Sequence, residues 1–289
     1  MTFLPAAIPP PPGVGIDLGP FTLRFYGLAI ALGVLAAVWL ARRRYAGTGG
    51  DPAVVDGVAM WAVGAGLLGA RAGYVLPRLD QFTGDPLSAL AVWEGGLTFF
   101  GALAGGVVGA WWALRRRDVA LAVFVTVAAP AVPLAQAIGR WGNYFNQELY
   151  GRPTELPWAL RVDPEHRVAP YEAFETFHPT FLYESLWNLA LVAVLLWVER
   201  RYRLRPGGLF FAYLVGYGVG RFWIELLRVD TDFRIVGLSR NNLNALVIVA
   251  VGAAGLWWSS RRREPPPAPA GGDQEGAGSV EPAEGDAER

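Results

Sequence analysis

The chain contains no cysteine and no lysine; all 25 of its Lys-plus-Arg positions are arginine. Without Cys there are no disulfides, no thiolate metal sites and no protein-borne thiol nucleophile. Without Lys there is no Schiff-base chemistry. Two histidines, His166 and His178, cannot build a His-rich metal centre, and no metal or organic cofactor is expected. Acidic and basic residues balance at 25 each, which points away from nucleic acid. Only 17% of the 289 residues are charged, against about a quarter in soluble domains. Any chemistry must therefore run on Arg, Glu, Asp, Asn, Tyr, Ser/Thr or a single His.

What fills the chain instead is apolar. Hydrophobic residues make up 53%, Trp occurs 12 times and the mean hydropathy is +0.29. A bilayer core takes about 20 mostly apolar residues as a helix, and seven stretches qualify: 21–41, 53–76, 95–114, 119–138, 180–198, 207–227 and 243–258. Arginine clusters follow every second stretch, at 42–44, 115–117, 200–205 and 261–263. That alternation matches the positive-inside rule and places the N-terminus outside and the C-terminus in the cytoplasm. The expected fold is an all-α, multi-pass membrane domain over residues 21–260. Residues 1–20 read as an extracytoplasmic leader, extended by the run Pro9–Pro12. Residues 139–179 between spans four and five, rich in aromatics and prolines, read as a small outer head. Residues 261–289, rich in Pro, Gly, Ala and Glu, read as a disordered cytoplasmic tail.

Two segments concentrate polar chemistry. Residues 139–151 carry Arg140, Asn143, Asn146, Glu148 and Gly151 just after an apolar span. Arg beside amides suits a phosphate clamp; an Arg140–Glu148 pair with helix-capping amides is the purely structural alternative. On the sixth span Tyr217, Arg221, Glu225 and Arg228 fall at spacings of four, four and three, on one helix face. Ionisable side chains at membrane depth are costly and mark function by default; a packing pair Arg221–Glu225 is the alternative. Tyr26 stands at the outer end of the first span, and Arg71 in the second suits snorkelling to the interface. Glu184, inside the fifth span after His178 and Pro179, needs a partner.

The run Arg140-Trp141-Gly142-Asn143-Tyr144-Phe145-Asn146-Gln147-Glu148-Leu149-Tyr150-Gly151 resembles the signature of the prolipoprotein diacylglyceryl transferases. Tyr26-Gly27, His178-Pro179 with Leu182-Tyr183-Glu184, and Tyr217-Gly218 with Arg221, Phe222, Glu225 and Arg228 agree in order. The resemblance runs from about Phe21 to Trp258. It implies a bacterial plasma-membrane transferase with seven spans. Its substrates would be phosphatidylglycerol and a preprolipoprotein signal peptide with a lipobox Cys, its products a thioether and glycerol phosphate. It further implies Arg140, Arg221 and Tyr26 as catalytic residues, with Asn143, Asn146, Glu148, Gly151, Tyr217, Glu225 and Arg228 around the substrate. A substrate-borne thiol reconciles this chemistry with a Cys-free chain. Two departures stand out. Phe100 occupies the place where many members carry His, which leaves the base open between Tyr26, Glu148, Glu225 and water. Ser239-Arg240-Asn241-Asn242-Leu243-Asn244 replaces a commoner Ser-Met-Gly-Gln. A solute transporter, lipid-binding protein or membrane scaffold using the same arginines is the alternative; the absence of a strong internal repeat opposes the transporter.

The alternating arginines set a topology test. Single cysteines placed in this Cys-free chain at Gly84 or Glu165 should react with an impermeant maleimide from outside. Those at Ala46, Arg116 or Arg203 should not; external labelling at Arg116 would break the seven-span reading.

Overall fold

The computed structural model describes residues 7–19, 21–92, 95–202, 204–229, 234–235 and 237–261. The tail, Arg203, Arg262 and Arg263 lie outside the described residues, so the disordered-tail reading is not addressed by it.

A hairpin of β1 (Gly15–Leu18) and β2 (Phe21–Arg24) leads into α1 (Phe25–Gly47). Phe21–Arg24, assigned by hydropathy to the first span, are therefore strand. Helix α2 (Pro52–Val75) starts with Asp51 accepting from the Ala53 N–H at 2.9 Å and with Pro52 in the first turn, where its missing donor is harmless. Two short 3-10 segments, Leu76–Phe82 and Pro86–Leu90, lead to α3 (Phe99–Arg116). The fourth apolar stretch is broken: α4 (Leu121–Ala128) and α5 (Ala131–Phe145) meet at 45°. Pro130 and Pro133 explain the bend, because neither can donate into the helical ladder.

Beyond α5, the segment to residue 179 folds around strands β3 (Leu160–Arg161) and β4 (Thr176–Phe177). Its core is Tyr150, Leu160, Val162 and Phe177, closed by Phe181 from α6 (Thr180–Arg201). The N-terminal segment joins this unit: Ile8 donates to the Ala159 carbonyl and accepts from the Arg161 N–H, at 2.8 and 2.9 Å. Helix α7 (Gly208–Leu227) follows Gly207, whose φ of 91° suits a residue without Cβ. A second hairpin, β5 (Arg234–Ile235) and β6 (Leu238–Ser239), precedes α8 (Arg240–Arg261). Ser239 and Asn242 cap α8 reciprocally, the Asn242 N–H donating to Ser239 Oγ at 3.1 Å and the Ser239 N–H to Asn242 Oδ1 at 3.2 Å. The cap places the helix start three residues ahead of the apolar run.

The molecule is mostly helical. Among the described residues five helices are long and apolar enough to cross a membrane: α1, α2 with its 3-10 extension, α6, α7 and α8; counting the bent α4–α5 pair as one span makes six. Helix α3 has 18 residues and ends in Arg115 and Arg116. Along the bundle α1 packs on α5, α5 on α6, α6 on α7 and α7 on α8. At the far end of α6, the Arg44 guanidinium meets Glu199 with two contacts of 2.5 and 2.7 Å and donates to the Val127 carbonyl at 2.8 Å, tying α1, α4 and α6 together.

Helices α2 and α3 meet through glycines. A Cβ on Gly105 would lie 2.1 Å from the Ala65 carbonyl oxygen, one on Gly69 would lie 2.3 Å from that of Gly101, and one on Gly109 would lie 2.4 Å from that of Trp61. These atoms are backbone and cannot swing aside, so the pair must separate if a side chain is added. Gly105→Val should lower stability by about 1–3 kcal/mol, the usual cost of overpacking, read as a lower melting temperature of the detergent-purified protein. An unchanged melting temperature would mean that the helices do not approach this closely.

Candidate functional site

The polar residues singled out from sequence converge where α5, α6, α7 and the start of α8 meet. Helix α5 continues to Phe145, so Arg140 and Asn143 sit on its last two turns rather than in a loop. Arg140 Nη2 lies 2.6 Å from Glu184 Oε2 on α6, and its Nη1 donates to Asn143 Oδ1 at 3.3 Å. The Arg140–Glu148 pairing considered from sequence is replaced by this contact with Glu184. Glu148 is held by amides instead: Asn143 Nδ2 donates to its Oε1 at 2.8 Å and Asn146 Nδ2 to the same oxygen at 3.3 Å.

Helix α7 supplies the other half. Arg221 Nη2 lies 2.7 Å from Glu225 Oε2, the i,i+4 pair that the spacing allowed, while Arg221 Nη1 faces Glu184 Oε1 at 3.8 Å. Arg228, which caps α7, brings its Nε to 3.8 Å from Glu225 Oε2. A line of alternating charge results, Arg140–Glu184–Arg221–Glu225–Arg228. Its two carboxylates are its most buried members, with Glu184 at 6% side-chain exposure and Glu225 at 0%. A buried charge is tolerable only when paired and hydrogen-bonded. Glu225 meets that condition through the two arginines and through Ser239 Oγ and Asn241 Nδ2, each donating to its Oε1 at 2.9 Å. Among the described residues Arg221 Nη1 is buried without a hydrogen-bond partner, and Glu225 Oε2 is met by its two arginine ion pairs alone. Asn242 Nδ2 reaches back to the Phe222 carbonyl at 2.9 Å and locks α8 to α7.

Tyr217 lies one turn before Arg221 and stacks on Tyr213, centroids 5.8 Å apart. With Glu184, Trp187, Asn188 and Arg221 it lines a cavity of about 10 Å³, room for roughly one water-sized group. A wider recess of about 430 Å³ lies at the opposite end of α6, beside Arg44 and Glu199, and holds none of the residues singled out from sequence. Tyr26 sits at the edge of the site: its ring packs on α5 where Gly142 leaves space, and a Cβ there would come within 2.7 Å of Tyr26 Cδ2. Phe100 is 78% exposed on α3 and stacks edge-on against Phe99. Arg71 does not snorkel. It is buried and donates to the carbonyls of Ala89, Ser88 and Gly95 at 2.5–2.7 Å, pinning the loop before α3.

Gly151 works through its backbone. Its N–H donates to the His178 carbonyl at 2.9 Å, and it forms an antiparallel bridge with Arg228. Partial burial lowers the His178 pKa from its ordinary value. The segment before Gly151 turns through two residues of left-handed backbone, Gln147 (φ 51°) and Leu149 (φ 60°). Gln147 is fixed there by paired bonds with Asp163, 2.7 Å to the carboxylate and 2.8 Å from the Asp163 N–H.

Spacing in the sequence exposed the α7 residues but not the centre of the network. Glu184 stood out as an acid needing a partner, and the structure supplies two. Ser239 and Asn241 were not singled out as ligands of Glu225; a hydroxyl and an amide beside an apolar run were the available signal. Gly151→Ala would place a methyl carbon 2.8 Å from His178 Cβ and 3.0 Å from the Leu227 carbonyl oxygen. It should destabilise the protein by about 1–3 kcal/mol, measured by thermal unfolding in detergent; native stability would show that the contact is not a tight one.

The family described as Prolipoprotein diacylglyceryl transferase matches residues 13–258. A phosphatidylglycerol–prolipoprotein diacylglyceryl transferase of Frankia alni is 51% identical over 251 residues, covering 86% of this chain and 66% of the relative. The Streptomyces coelicolor protein named phosphatidylglycerol–prolipoprotein diacylglyceryl transferase 2 is 49% identical over 248 residues, 84% of this chain and 78% of its own length. The Corynebacterium efficiens relative of the same activity name is 45% identical over 256 residues, 84% and 80%.

Proposed function

The chain belongs to the prolipoprotein diacylglyceryl transferase family, and from that premise we propose that it transfers the diacylglyceryl group of phosphatidylglycerol to the lipobox cysteine of preprolipoproteins. It acts as a multi-pass protein of the bacterial plasma membrane, N-terminus outside and C-terminus in the cytoplasm. Helix α3 is a short third span, α4–α5 a bent fourth, and the unit around β3 and β4 an outer head. The observation that carries the reading is the sharing of Glu184 by Arg140 and Arg221: two guanidiniums from separate helices are held side by side in a poorly hydrated place.

In the reaction the lipobox sulfur forms a bond to the terminal glyceryl carbon of diacylglycerol as that carbon's bond to the phosphate oxygen breaks. The electron pair of the broken bond passes to the phosphate, so a singly charged phosphodiester becomes glycerol phosphate with a second negative charge. The thiol proton is released in compensation. Donors fixed in advance where negative charge grows stabilise the transition state without reorganising. Arg140 and Arg221 are those donors, and their planar forks direct two hydrogen bonds each. Glu225 aims the Arg221 fork, with Ser239, Asn241 and Arg228 holding Glu225 in place. Asn143 and Asn146 hold Glu148 at the rim with its Oε2 outside those bonds, while Tyr26 and Tyr217 wall the donor site and Gly151 lets the head approach α7. Cationic neighbours lower a thiol pKa from about 8.5, which favours the thiolate near the arginines. With Phe100 in place of His, that electrostatic route matters more here.

Purified variants in phosphatidylglycerol vesicles with a lipobox peptide test this. Arg140→Lys and Arg221→Lys should each lose about a hundredfold or more in thioether formation, as loss of an oxyanion donor commonly does, and the Ala variants nearly all activity. Arg221→Ala that folds normally and transfers at the native rate would refute the phosphate clamp.

A further inference from the structure

We infer that Glu184 is a positioning residue that competes with phosphate for both guanidiniums, and thereby drives the doubly charged product out of the site. The inference rests on the donor-phosphate reading above. Among the described residues Glu184 is the acid paired with both Arg140 and Arg221. Its hold on them is unequal. Oε2 is 2.6 Å from Arg140 Nη2, a full contact, while Oε1 stands 3.8 Å from Arg221 Nη1, beyond hydrogen-bonding range.

That second nitrogen is buried and, among the described residues, has no hydrogen-bond partner. The other half of the same fork is fixed by Glu225 at 2.7 Å. The Arg221 guanidinium thus points one committed and one uncommitted nitrogen, and the small cavity lined by Glu184, Tyr217 and Arg221 lies beside it. An incoming phosphate oxygen satisfies the uncommitted donor and comes to lie against the Glu184 carboxylate.

The charge of that oxygen's group changes during the reaction. The donor phosphodiester carries one negative charge. The phosphomonoester product carries up to two, its second proton being lost near pH 6 as for other phosphate monoesters. Coulomb repulsion from a fixed carboxylate scales with the charge it faces, so it roughly doubles from donor to product. Glu184 is also nearly buried, where water screens poorly. The pull of the arginines doubles as well, so Glu184 offsets part of it, and offsets more of it for glycerol phosphate than for the donor. A second consequence is spacing: without an anion between them, two like-charged forks would repel each other in the resting site.

The test uses full-length protein in phosphatidylglycerol vesicles with a lipobox peptide. Glu184→Gln keeps the shape and removes the charge. Added glycerol phosphate should then inhibit at least tenfold more strongly than in the native enzyme, and thioether should appear as a burst of about one per enzyme followed by slow turnover. Glu184→Asp, which keeps the charge, should restore weak inhibition and remove the burst. A carboxylate that merely supports the fold would, when replaced by Gln, weaken donor and product binding together and give no burst. Unchanged or weaker inhibition of the Gln variant overturns the inference. If that variant does not fold, the native protein still decides: at pH 8 it should favour glycerol phosphate over its singly charged methyl ester by less than tenfold, and tenfold or tighter binding of the dianion overturns the inference. Absence of thioether from the folded native enzyme would instead sink the transferase reading, whereas native transfer with the wrong inhibition pattern sinks this inference alone.

Discussion

Everything polar in this bundle is arranged around the cost of keeping charge out of water. A single ion at membrane depth is expensive, and removing one partner of a buried pair costs about 3–5 kcal/mol. The line from Arg140 through Glu184, Arg221 and Glu225 to Arg228 meets that cost by alternation, each charge flanked by its opposite. The line also joins four parts of the chain, since its members and their hydrogen-bond partners come from α5, α6, α7 and the β6–α8 junction. The same contacts that make the charges tolerable fix the helices relative to one another, so site geometry and bundle packing are one constraint.

Much of this was legible in the sequence because hydropathy and helical spacing are local signals. The stretch 207–227 became α7 (Gly208–Leu227), and the four-residue step from Arg221 to Glu225 became a 2.7 Å ion pair. Stretches 53–76 and 180–198 likewise correspond to α2 and α6. The charge of Glu184 inside an apolar run announced a missing partner without naming it. Long-range pairing was the part that local pattern does not encode. That Arg140 reaches Glu184 rather than Glu148 depends on α5 continuing as helix through Gly139 and Gly142, which residue preferences alone would have ended earlier. Asn241 as a ligand of Glu225 depends on how the hairpin before α8 folds back over α7.

The departures from the family pattern take on physical meaning at these places. Asn241 and Ser239 lie in the segment that differs from the commoner motif, and both donate to Glu225. Ser239 is common to both motifs, while Asn241, standing where the commoner motif has Gly, adds a donor to the buried carboxylate. Phe100 shows the opposite case: an apolar ring on an exposed face of α3, with no polar demand to meet.

The bonds from Ile8 to Ala159 and Arg161 join segments about 150 positions apart in the chain. A ribosome adds roughly 5–20 residues each second, so Ile8 waits on the order of 8–30 s for the strand that receives it. Helices α1 to α5, with the bend between α4 and α5, are made in that interval. The segment around Ile8 is therefore fastened only after the helices that follow it, up to α5, have been made.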